Sequence, residues 1–202
     1  MIPSKPADSP LVIGLVGGIA AGKSWVAARL EEAGFRVLDA DSEARAVARD
    51  PAILAAIGAR FGAALVADGL DRPALADLVF DDPVARKDLE AITHPAIRSR
   101  ILAGLAQAQA AGLPVVLDVP LLLEGGLIEK CDEAIFVEVD EEVRRARAAA
   151  RGWSDQELAR REAAQAPLAE KQARCRFLVE NNGDAQATSA QIESVLAELR
   201  KM

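Results

Sequence analysis

A glycine-rich segment near the N-terminus constrains this chain more than any other feature. Residues Gly17 to Ser24 read Gly-Gly-Ile-Ala-Ala-Gly-Lys-Ser and fit the pattern G-x-x-x-x-G-K-[ST]. An apolar run from Leu11 to Val16 precedes the segment, and residues with helical spacing follow it. The glycines allow the backbone to turn its N–H groups inward, toward phosphate oxygens. The pattern therefore predicts a phosphate-binding loop between a buried strand and a helix, and with it a nucleoside triphosphate site.

The side chains and amides of this loop have distinct expected roles. Lys23 is expected to reach the β- and γ-phosphates of ATP, and the Ser24 hydroxyl to join the coordination shell of Mg²⁺. The backbone amides of Ser24 and Trp25 open a helix whose dipole favours an anion. The candidate ATP-binding residues in this segment are Gly17, Gly18, Ala20, Ala21, Gly22, Lys23, Ser24 and Trp25.

Length and composition exclude several classes of protein. At 202 residues, with 51% hydrophobic and 27% charged residues, the chain suits one or two globular domains. A net charge of −7 argues against a general nucleic-acid-binding protein. The longest apolar runs fall far below the ~18 residues of a membrane span, and Met1 to Pro10 lacks the apolar region of a signal peptide. We expect a cytoplasmic, monomeric protein with no membrane segment.

The cysteine content indicates neither a disulfide framework nor a zinc site. Cys131 and Cys175 form no C-x-x-C motif, and His94 is the single histidine of the chain. Free thiols buried in the protein are the expectation for both cysteines.

Short apolar runs alternate with helical patterns along the chain, which is typical of a parallel sheet covered by helices on both faces. The runs are Leu11 to Val16, Arg36 to Leu38, Val115 to Leu117, Ala134 to Val139 and Phe177 to Val179. We predict an α/β fold of the P-loop NTPase type, a three-layer sandwich with a five-stranded parallel sheet.

Both ends of this fold have clear helices. The first is predicted over Lys23 to Ala33, with Gly34 as the residue that ends it. In the last, apolar residues recur at helical spacing, and Thr188 or Ser189 is the expected cap. Its apolar residues are Ile192, Val195, Leu196 and Leu199.

The segment from Ser42 to Leu113 has no convincing strand and several helix starts. Prolines follow Asp50, Arg72, Asp82 and His94, where a first helical turn tolerates them. We therefore predict a flexible lead over 1–10, a nucleotide-binding core over 11–42, 113–141 and 177–202, a helical acceptor-binding insertion over 43–112, and a lid over 142–176.

Three carboxylates follow predicted strands at their carboxyl ends: Asp39 and Asp41 after the second strand, and Asp118 after the third. Ligands of doubly wound sheets bind outside those ends. Phosphoryl transfer needs one carboxylate to orient or deprotonate the attacking hydroxyl and another to hold Mg²⁺. The alternative for each acid is a simple helix cap.

Positive charge is concentrated between Arg144 and Arg176, where eight arginines and Lys171 face only four acids. An arginine-rich helical hairpin suits a lid that closes over a triphosphate. Arg147 and Arg151 are four residues apart, which predicts one helix face. For the other arginines, a solvated surface with pairs such as Glu157 and Arg161 is the alternative.

The order and spacing of these motifs resemble those of the dephospho-coenzyme A kinase family over nearly the whole chain after residue 10. The matching segments are the phosphate loop, Asp39-Ala40-Asp41, Ala44-Arg45, His94-Pro95, Asp118-Val119-Pro120-Leu121-Leu122, Glu124, Arg147, Arg151, Gln165, Lys171 and Asn181-Asn182-Gly183. The resemblance implies transfer of the ATP γ-phosphate to the ribose 3′-hydroxyl of dephospho-CoA, with Mg²⁺ as the metal.

The resemblance also implies roles for individual residues. Asp41 orients or activates the hydroxyl, while Lys23 and Ser24 hold phosphate and Mg²⁺. Asp118 lies beside the magnesium, and Asp118 and Leu121 contribute to substrate binding. Arg45, His94 and Pro95 lie on the acceptor side. Arg147 and Arg151 close over the triphosphate. Asn181 and Gly183 border the adenine.

Four residues depart from the family pattern. Ala20 replaces the middle glycine of the loop, which suits the loop only if its φ is negative. Arg144 replaces a common glutamine, and Cys175-Arg176 replaces Ala-Asp, which reverses a charge.

Two other functions remain as alternatives at this point. One is a different nucleoside or nucleotide kinase, and the other is a P-loop nucleotide-binding switch without turnover. The chain lacks the N-K-x-D guanine signature, which disfavours the switch.

Overall fold

A computed structural model of the protein describes residues 9–80 and 82–201. Its centre is a sheet of five parallel strands in the order β2-β3-β1-β4-β5. The strands are β1 (Val12–Gly17), β2 (Arg36–Asp39), β3 (Val115–Asp118), β4 (Glu133–Glu138) and β5 (Phe177–Glu180). The predicted α/β fold is confirmed, and every predicted strand is present within about one residue of its expected bounds. The predicted lead over 1–10 lies almost wholly outside the described residues.

The described residues form nine α-helices. They are α1 (Lys23–Glu32), α2 (Ala40–Val47), α3 (Pro51–Phe61), α4 (Arg72–Phe80), α5 (Pro83–Ala110), α6 (Glu141–Ala150), α7 (Asp155–Ala163), α8 (Leu168–Ala173) and α9 (Ala185–Leu199). Short 3-10 helices span Ala63–Val66 and Leu127–Lys130. No helix within these described ranges combines the length and apolar character needed to cross a membrane.

The strand β1 lies at the centre of the sheet because its residues are apolar or glycine and can be buried on both faces. All six of its residues are buried, and it pairs with β3 on one side and β4 on the other. Helices α1 and α9 pack on the sheet through Leu30 and Ile192, which belong to the same core cluster as Leu15. This packing fixes the strand end from which the phosphate-binding loop departs.

The ends of α1 and α9 show where the sequence signals were sufficient and where they were not. Gly34 has φ +97° just after α1, as predicted. The cap of α9 is different from the prediction: Asp184 is the N-cap, and its carboxylate accepts N–H groups of Gln186 and Ala187. Thr188 lies within the first turn, where its hydroxyl donates to the carbonyl of Glu180 at 2.9 Å.

The chain divides into two compact units, residues 1–38 with 107–202 and residues 39–106. The second unit is helical, and an isolated bridge between Ala67 and Gly69 is the one β feature of its described residues. Ion pairs within it join Arg60 to Asp88 at 2.7 Å and Arg100 to Glu43 at 2.5 Å.

Three of the four predicted proline helix starts in this unit are confirmed. Pro51, Pro73 and Pro83 occupy first turns, of α3, α4 and α5. The fourth prediction is wrong, because Pro95 lies inside the 28-residue helix α5. Proline lacks an N–H donor and clashes with the preceding turn, but a single proline leaves the bonds of the neighbouring turns intact.

Candidate active site

The phosphate loop connects β1 to α1 through two backbone positions that require glycine. A Cβ at Gly17, which has φ +154°, would lie 2.6 Å from the carbonyl oxygen of Val137. Gly22 has φ +86° and ψ +30°, and a Cβ there would collide with the side-chain amide of Asn181. The pattern therefore reflects close packing of β4 and the loop after β5 against this turn.

Ala20 adopts φ +60° and is the one non-glycine residue with positive φ in the described part of the chain. Alanine was expected to replace the usual glycine without strain only if its φ is negative, and the observed φ is positive. An L residue in this region costs roughly 1–2 kcal/mol because its Cβ approaches the following carbonyl. Ala20 is buried, so the strain is held by the packing of the loop.

Lys23 extends back over the first part of the loop. Its ammonium donates to the carbonyl oxygens of Gly18 at 3.2 Å and Gly17 at 3.5 Å. Phosphate oxygens are stronger acceptors of a charged donor than these carbonyls. The amide of Trp25, expected at the phosphates, donates to the carbonyl of Gly22 at 3.0 Å and so belongs to the first turn of α1.

Ser24 and Asp118 meet at the carboxyl ends of β1 and β3. The Ser24 hydroxyl donates to Oδ2 of Asp118 at 3.3 Å, and Asp118 is only 6% exposed. Mg²⁺ prefers hard oxygen ligands and is often held by one or two protein oxygens together with phosphates and waters. A hydroxyl and a carboxylate beside the phosphate loop are a donor set that fits this ion.

Arg147 of α6 and Asn181 after β5 both donate hydrogen bonds to the same carbonyl oxygen of the loop. The carbonyl oxygen of Ala21 accepts from Arg147 Nη1 at 3.2 Å and from Asn181 Nδ2 at 2.8 Å. Arg147 Nη2 also donates to the carbonyl of Asn181 at 2.8 Å. The structure thus brings two predicted site residues from distant parts of the sequence to the loop. Gly183, with φ +121°, lies exposed two residues further on.

Arg151 lies at the C-terminal end of α6, four residues after Arg147. Helix α6 ends at Ala150, Arg151 is its C-cap, and Gly152 has φ +80°. The turn directs the exposed Arg151 toward Trp153, whose ring centroid lies 5.8 Å from its guanidinium carbon. The surface alternative holds for Arg161, which pairs with Glu157 at 2.7 Å.

A buried charge cluster beside the loop was absent from the predicted site. Lys171 of α8 is 2% exposed, and its ammonium donates to Gln165 at 2.6 Å and lies 3.4 Å from Glu124. These lysine and glutamate side chains line one small cavity with Gly17, Lys23 and Leu122. The family pattern included Glu124, Gln165 and Lys171, but no periodicity or charge signal singled them out.

Glu124 joins the loop after β3 to the start of α8. Its Oε1 accepts the N–H of Ala166 at 2.7 Å, and its side chain is 23% exposed. Burial acts to raise the pKa of Glu124, but the N–H groups of Ala166 and of Glu124 itself, together with Lys171, outweigh it. The net result is a pKa below the usual value.

The departures at Cys175 and Arg176 lie at the opposite ends of the strands. Arg176 pairs with Glu133 at 2.9 Å, so its reversed charge is neutralised locally. The thiols of Cys131 and Cys175 are half-buried rather than buried. Burial raises the pKa of Cys131 to about 12, with a contribution from Asp132, and that of Cys175 to about 11.

The predicted acceptor residues Asp41, Arg45, His94 and Pro95 belong to the unit of residues 39–106 and are exposed within it. Asp39 acts as the N-cap of α2, because its carboxylate accepts the N–H groups of Asp41 at 3.1 Å and Ser42 at 2.9 Å. Arg45 lies 3.7 Å from Asp39. Within residues 9–80 and 82–201 the Asp41 carboxylate has no hydrogen bond or ion pair, so it is available to a ligand. Leu121, expected on the substrate side, is half-buried after β3.

Comparison with known proteins adds an independent finding. A family model described as dephospho-CoA kinase matches residues 11–187. The dephospho-CoA kinase of Deinococcus radiodurans is 42% identical over 199 residues, which cover 98% of this chain and 96% of the relative.

Solved structures with the same fold cover nearly the whole chain. The crystal structure of TT1252 from Thermus thermophilus has a TM-score of 0.75 at 40% identity and covers 95% of this chain and 98% of its own. The dephospho-CoA kinase from Campylobacter jejuni has a TM-score of 0.69 at 22% identity, with 93% and 96% covered, which is a likeness of fold.

Proposed function

The chain belongs to the dephospho-CoA kinase family, and we propose that it transfers the γ-phosphoryl group of ATP to the ribose 3′-hydroxyl of dephospho-CoA. The products are coenzyme A and ADP. The observation that carries the proposal is the contact of Ser24 with Asp118 at the mouth of the phosphate loop. This contact places a hydroxyl and a carboxylate suited to Mg²⁺ beside the loop that is expected to bind the triphosphate. The family match covers nearly the full length of the chain.

Lys23 is proposed to bind the phosphates of ATP from its place beside Gly17 and Gly18. An ammonium has three donors, so it can donate to the β- and γ-phosphate oxygens as well as to the carbonyl oxygens of these glycines. The backbone N–H groups of the loop surround the phosphates, and the dipole of α1 favours their charge. Arg147, already fastened to Ala21, keeps α6 beside this site.

Ser24 and Asp118 are the residues that would hold Mg²⁺, directly or through its waters. The bound ion would neutralise charge on the β- and γ-phosphates. Asp118 is held for this task by its position at the buried end of β3 and by the Ser24 hydroxyl.

Asp41 is the residue proposed to act on the acceptor. Its carboxylate orients the 3′-hydroxyl and accepts its proton as the hydroxyl oxygen attacks the γ-phosphorus. A new oxygen–phosphorus bond forms, the bond between the γ-phosphorus and the β–γ bridging oxygen breaks, and ADP leaves with that electron pair. The exposed carboxylate two residues after β2 supports this role, because ligands of such sheets bind outside the strand ends.

The remaining proposals concern residues that would contact dephospho-CoA, the triphosphate and the adenine of ATP. Arg45, His94, Pro95 and Leu121 are proposed to contact dephospho-CoA, with the pantetheine arm held by the insertion over 43–112. Arg151 is proposed to reach the triphosphate only when the turn at Gly152 changes, since it now lies by Trp153. Asn181 and Gly183 are proposed to border the adenine of ATP.

Substitution of Asp41 tests the proposal. We expect Asp41→Ala to lower kcat by about 10² to 10⁴, the range of a positioned acid or base, with ATP affinity retained. ADP release with dephospho-CoA as acceptor measures kcat, and calorimetric titration measures ATP binding. Asp77→Ala, which removes an exposed carboxylate from α4, is the matched control and keeps full activity. A kcat of Asp41→Ala within threefold of the unchanged protein would remove Asp41 from this role.

The acceptor itself is tested by comparison with smaller molecules. A panel of nucleosides and nucleotides in the same assay distinguishes dephospho-CoA from the acceptor of another P-loop kinase. Phosphorylation of a plain nucleotide at a higher kcat/KM than dephospho-CoA would favour that alternative. ATP binding without ADP release for any acceptor would favour a nucleotide-binding switch.

A further inference from the structure

Helix α6 presents two arginines to the phosphate loop, and they are not the predicted pair. Arg144 and Arg147 are three residues apart and therefore lie on one helix face. Arg147 donates to the loop at Ala21. Arg144 packs against Gly18: a Cβ built on that glycine would lie 3.2 Å from Nη1 of Arg144 and 3.3 Å from its Cδ. Arg144 is thus the second arginine that α6 brings to this loop.

The guanidinium of Arg144 is buried but only partly satisfied. The residue is 8% exposed, and Nη1 donates to Oε1 of Glu162 on α7. Its Nε has no hydrogen-bond partner among residues 9–80 and 82–201. Buried polar groups are nearly always paired, and an ion bound at the site is one of the explanations for a donor that has no partner in the protein. An anion beside Gly18 would provide the acceptor that this donor lacks.

The position of Lys23 indicates which part of ATP reaches Gly18. The lysine of this motif contacts the β- and γ-phosphates, whereas the loop amides surround the α- and β-phosphates. In the structure the Lys23 ammonium lies on the carbonyls of Gly17 and Gly18. The Gly17–Gly18 end of the loop is therefore the end nearest the terminal phosphate, and Arg144 lies at the same glycine.

We propose that Arg144 binds the terminal phosphate of ATP, and that Glu162 holds it in the absence of nucleotide. This inference rests on the proposed function only in taking ATP as the phosphoryl donor. The exchange replaces one charged acceptor with another, so the guanidinium is never left without an anionic partner. It also gives the enzyme a way to distinguish ATP from ADP, because ADP lacks the group that competes with Glu162.

A purely structural ion pair makes a different prediction. If Arg144 and Glu162 only join α6 to α7, loss of either partner breaks the same contact and affects nucleotide binding in the same direction. If Glu162 competes with phosphate, loss of Arg144 weakens ATP binding and loss of the Glu162 charge strengthens it. The two substitutions then act with opposite signs.

The experiment measures dissociation constants for Mg·ATP and Mg·ADP by calorimetric titration of the full-length protein without acceptor. We expect Arg144→Gln to lower the ratio of ATP affinity to ADP affinity about tenfold, the effect of one lost charged hydrogen bond. Glu162→Gln is expected to raise that ratio about threefold or more. The double variant is expected to match Arg144→Gln, since Glu162 has no arginine left to hold.

Arg145→Gln is the matched control, because Arg145 lies on the same helix, is exposed and pairs with Asp155. Its ATP to ADP ratio is expected to be unchanged. Equal losses for ATP and ADP in Arg144→Gln, or a lowered or unchanged ratio in Glu162→Gln, would overturn the proposal. If Arg144→Gln does not fold, the Glu162→Gln result alone decides. The titrations use no acceptor, so failure here leaves phosphorylation of dephospho-CoA as a separate question.

Discussion

At the scale of single residues, Ala20 shows how the loop is held by its surroundings. The apolar run before Asp118 placed that residue at a strand end, and the G-x-x-x-x-G-K-[ST] pattern was sufficient to predict the turn between β1 and α1. The pattern was not sufficient for Ala20, which is buried with φ +60°. The loop glycines on either side of it, Gly17 and Gly22, lie against Val137 of β4 and Asn181 after β5. Those contacts come from residues more than a hundred positions away, so no local signal contains them.

Ala20→Gly should stabilise the protein. Glycine adopts φ +60° without strain, which relieves roughly 1–2 kcal/mol, while its greater freedom in the unfolded chain returns about 0.5–1 kcal/mol. We expect a net gain of up to about 1.5 kcal/mol in the free energy of unfolding, measured by urea titration, with ATP affinity unchanged. Ala28→Gly, inside α1, is the control and is expected to destabilise by about 1 kcal/mol. A loss of stability in Ala20→Gly would show that the alanine methyl contributes more through packing than it costs in strain.

At the scale of elements, the helices and strands followed from apolar periodicity, but the side chains that meet the loop did not. The arginine-rich segment was predicted as a helical lid, and α6, α7 and α8 are present. The sequence placed Arg147 and Arg151 together because four residues span one turn. Arg147 contacts the loop at Ala21, whereas Arg151 lies after the end of α6 beside Trp153, and Arg144 packs against Gly18. Helix ends depend on tertiary contacts that a periodic pattern does not contain.

The cluster of Glu124, Lys171 and Gln165 joins two such elements and predicts a pH dependence. The folded-state pKa of Glu124 is lowered, so its contribution to stability is present above the unfolded value, about 4.3, and is lost as pH falls through the folded value. We expect the free energy of unfolding of the unchanged protein to fall more steeply below about pH 4.3 than that of Glu124→Gln. Urea titrations at several pH values measure this difference.

Two further results complete that prediction. At pH 7, Glu124→Gln is expected to be the less stable protein, because buried Lys171 loses its carboxylate partner. Glu170→Gln, an exposed change on α8, is the matched control and should follow the unchanged protein. Parallel curves for Glu124→Gln and the unchanged protein would mean that Glu124 is ionised to the same extent in the folded and unfolded chains.

At the scale of the whole molecule, the order of the motifs predicted the family, and the family model that matches residues 11–187 confirms it. The sheet brings Gly17, Asp118 and Asn181 to the same edge, because Gly17 and Asp118 end their parallel strands and Asn181 directly follows β5. That placement could be predicted. The interior position of Pro95 in α5 and the cap at Asp184 could not, since each depends on how far a helix continues in its packed surroundings.

In the proposed reaction, the phosphate loop positions the γ-phosphoryl group of ATP for transfer to a ribose hydroxyl of dephospho-CoA. The most direct test is mass spectrometry of the product after incubation of the protein with Mg·ATP and dephospho-CoA, with fragmentation that locates the added group. We expect one added phosphate at the ribose 3′ position, formed together with one ADP and absent with Lys23→Ala. Unmodified dephospho-CoA, or a phosphate at any other position, would contradict it.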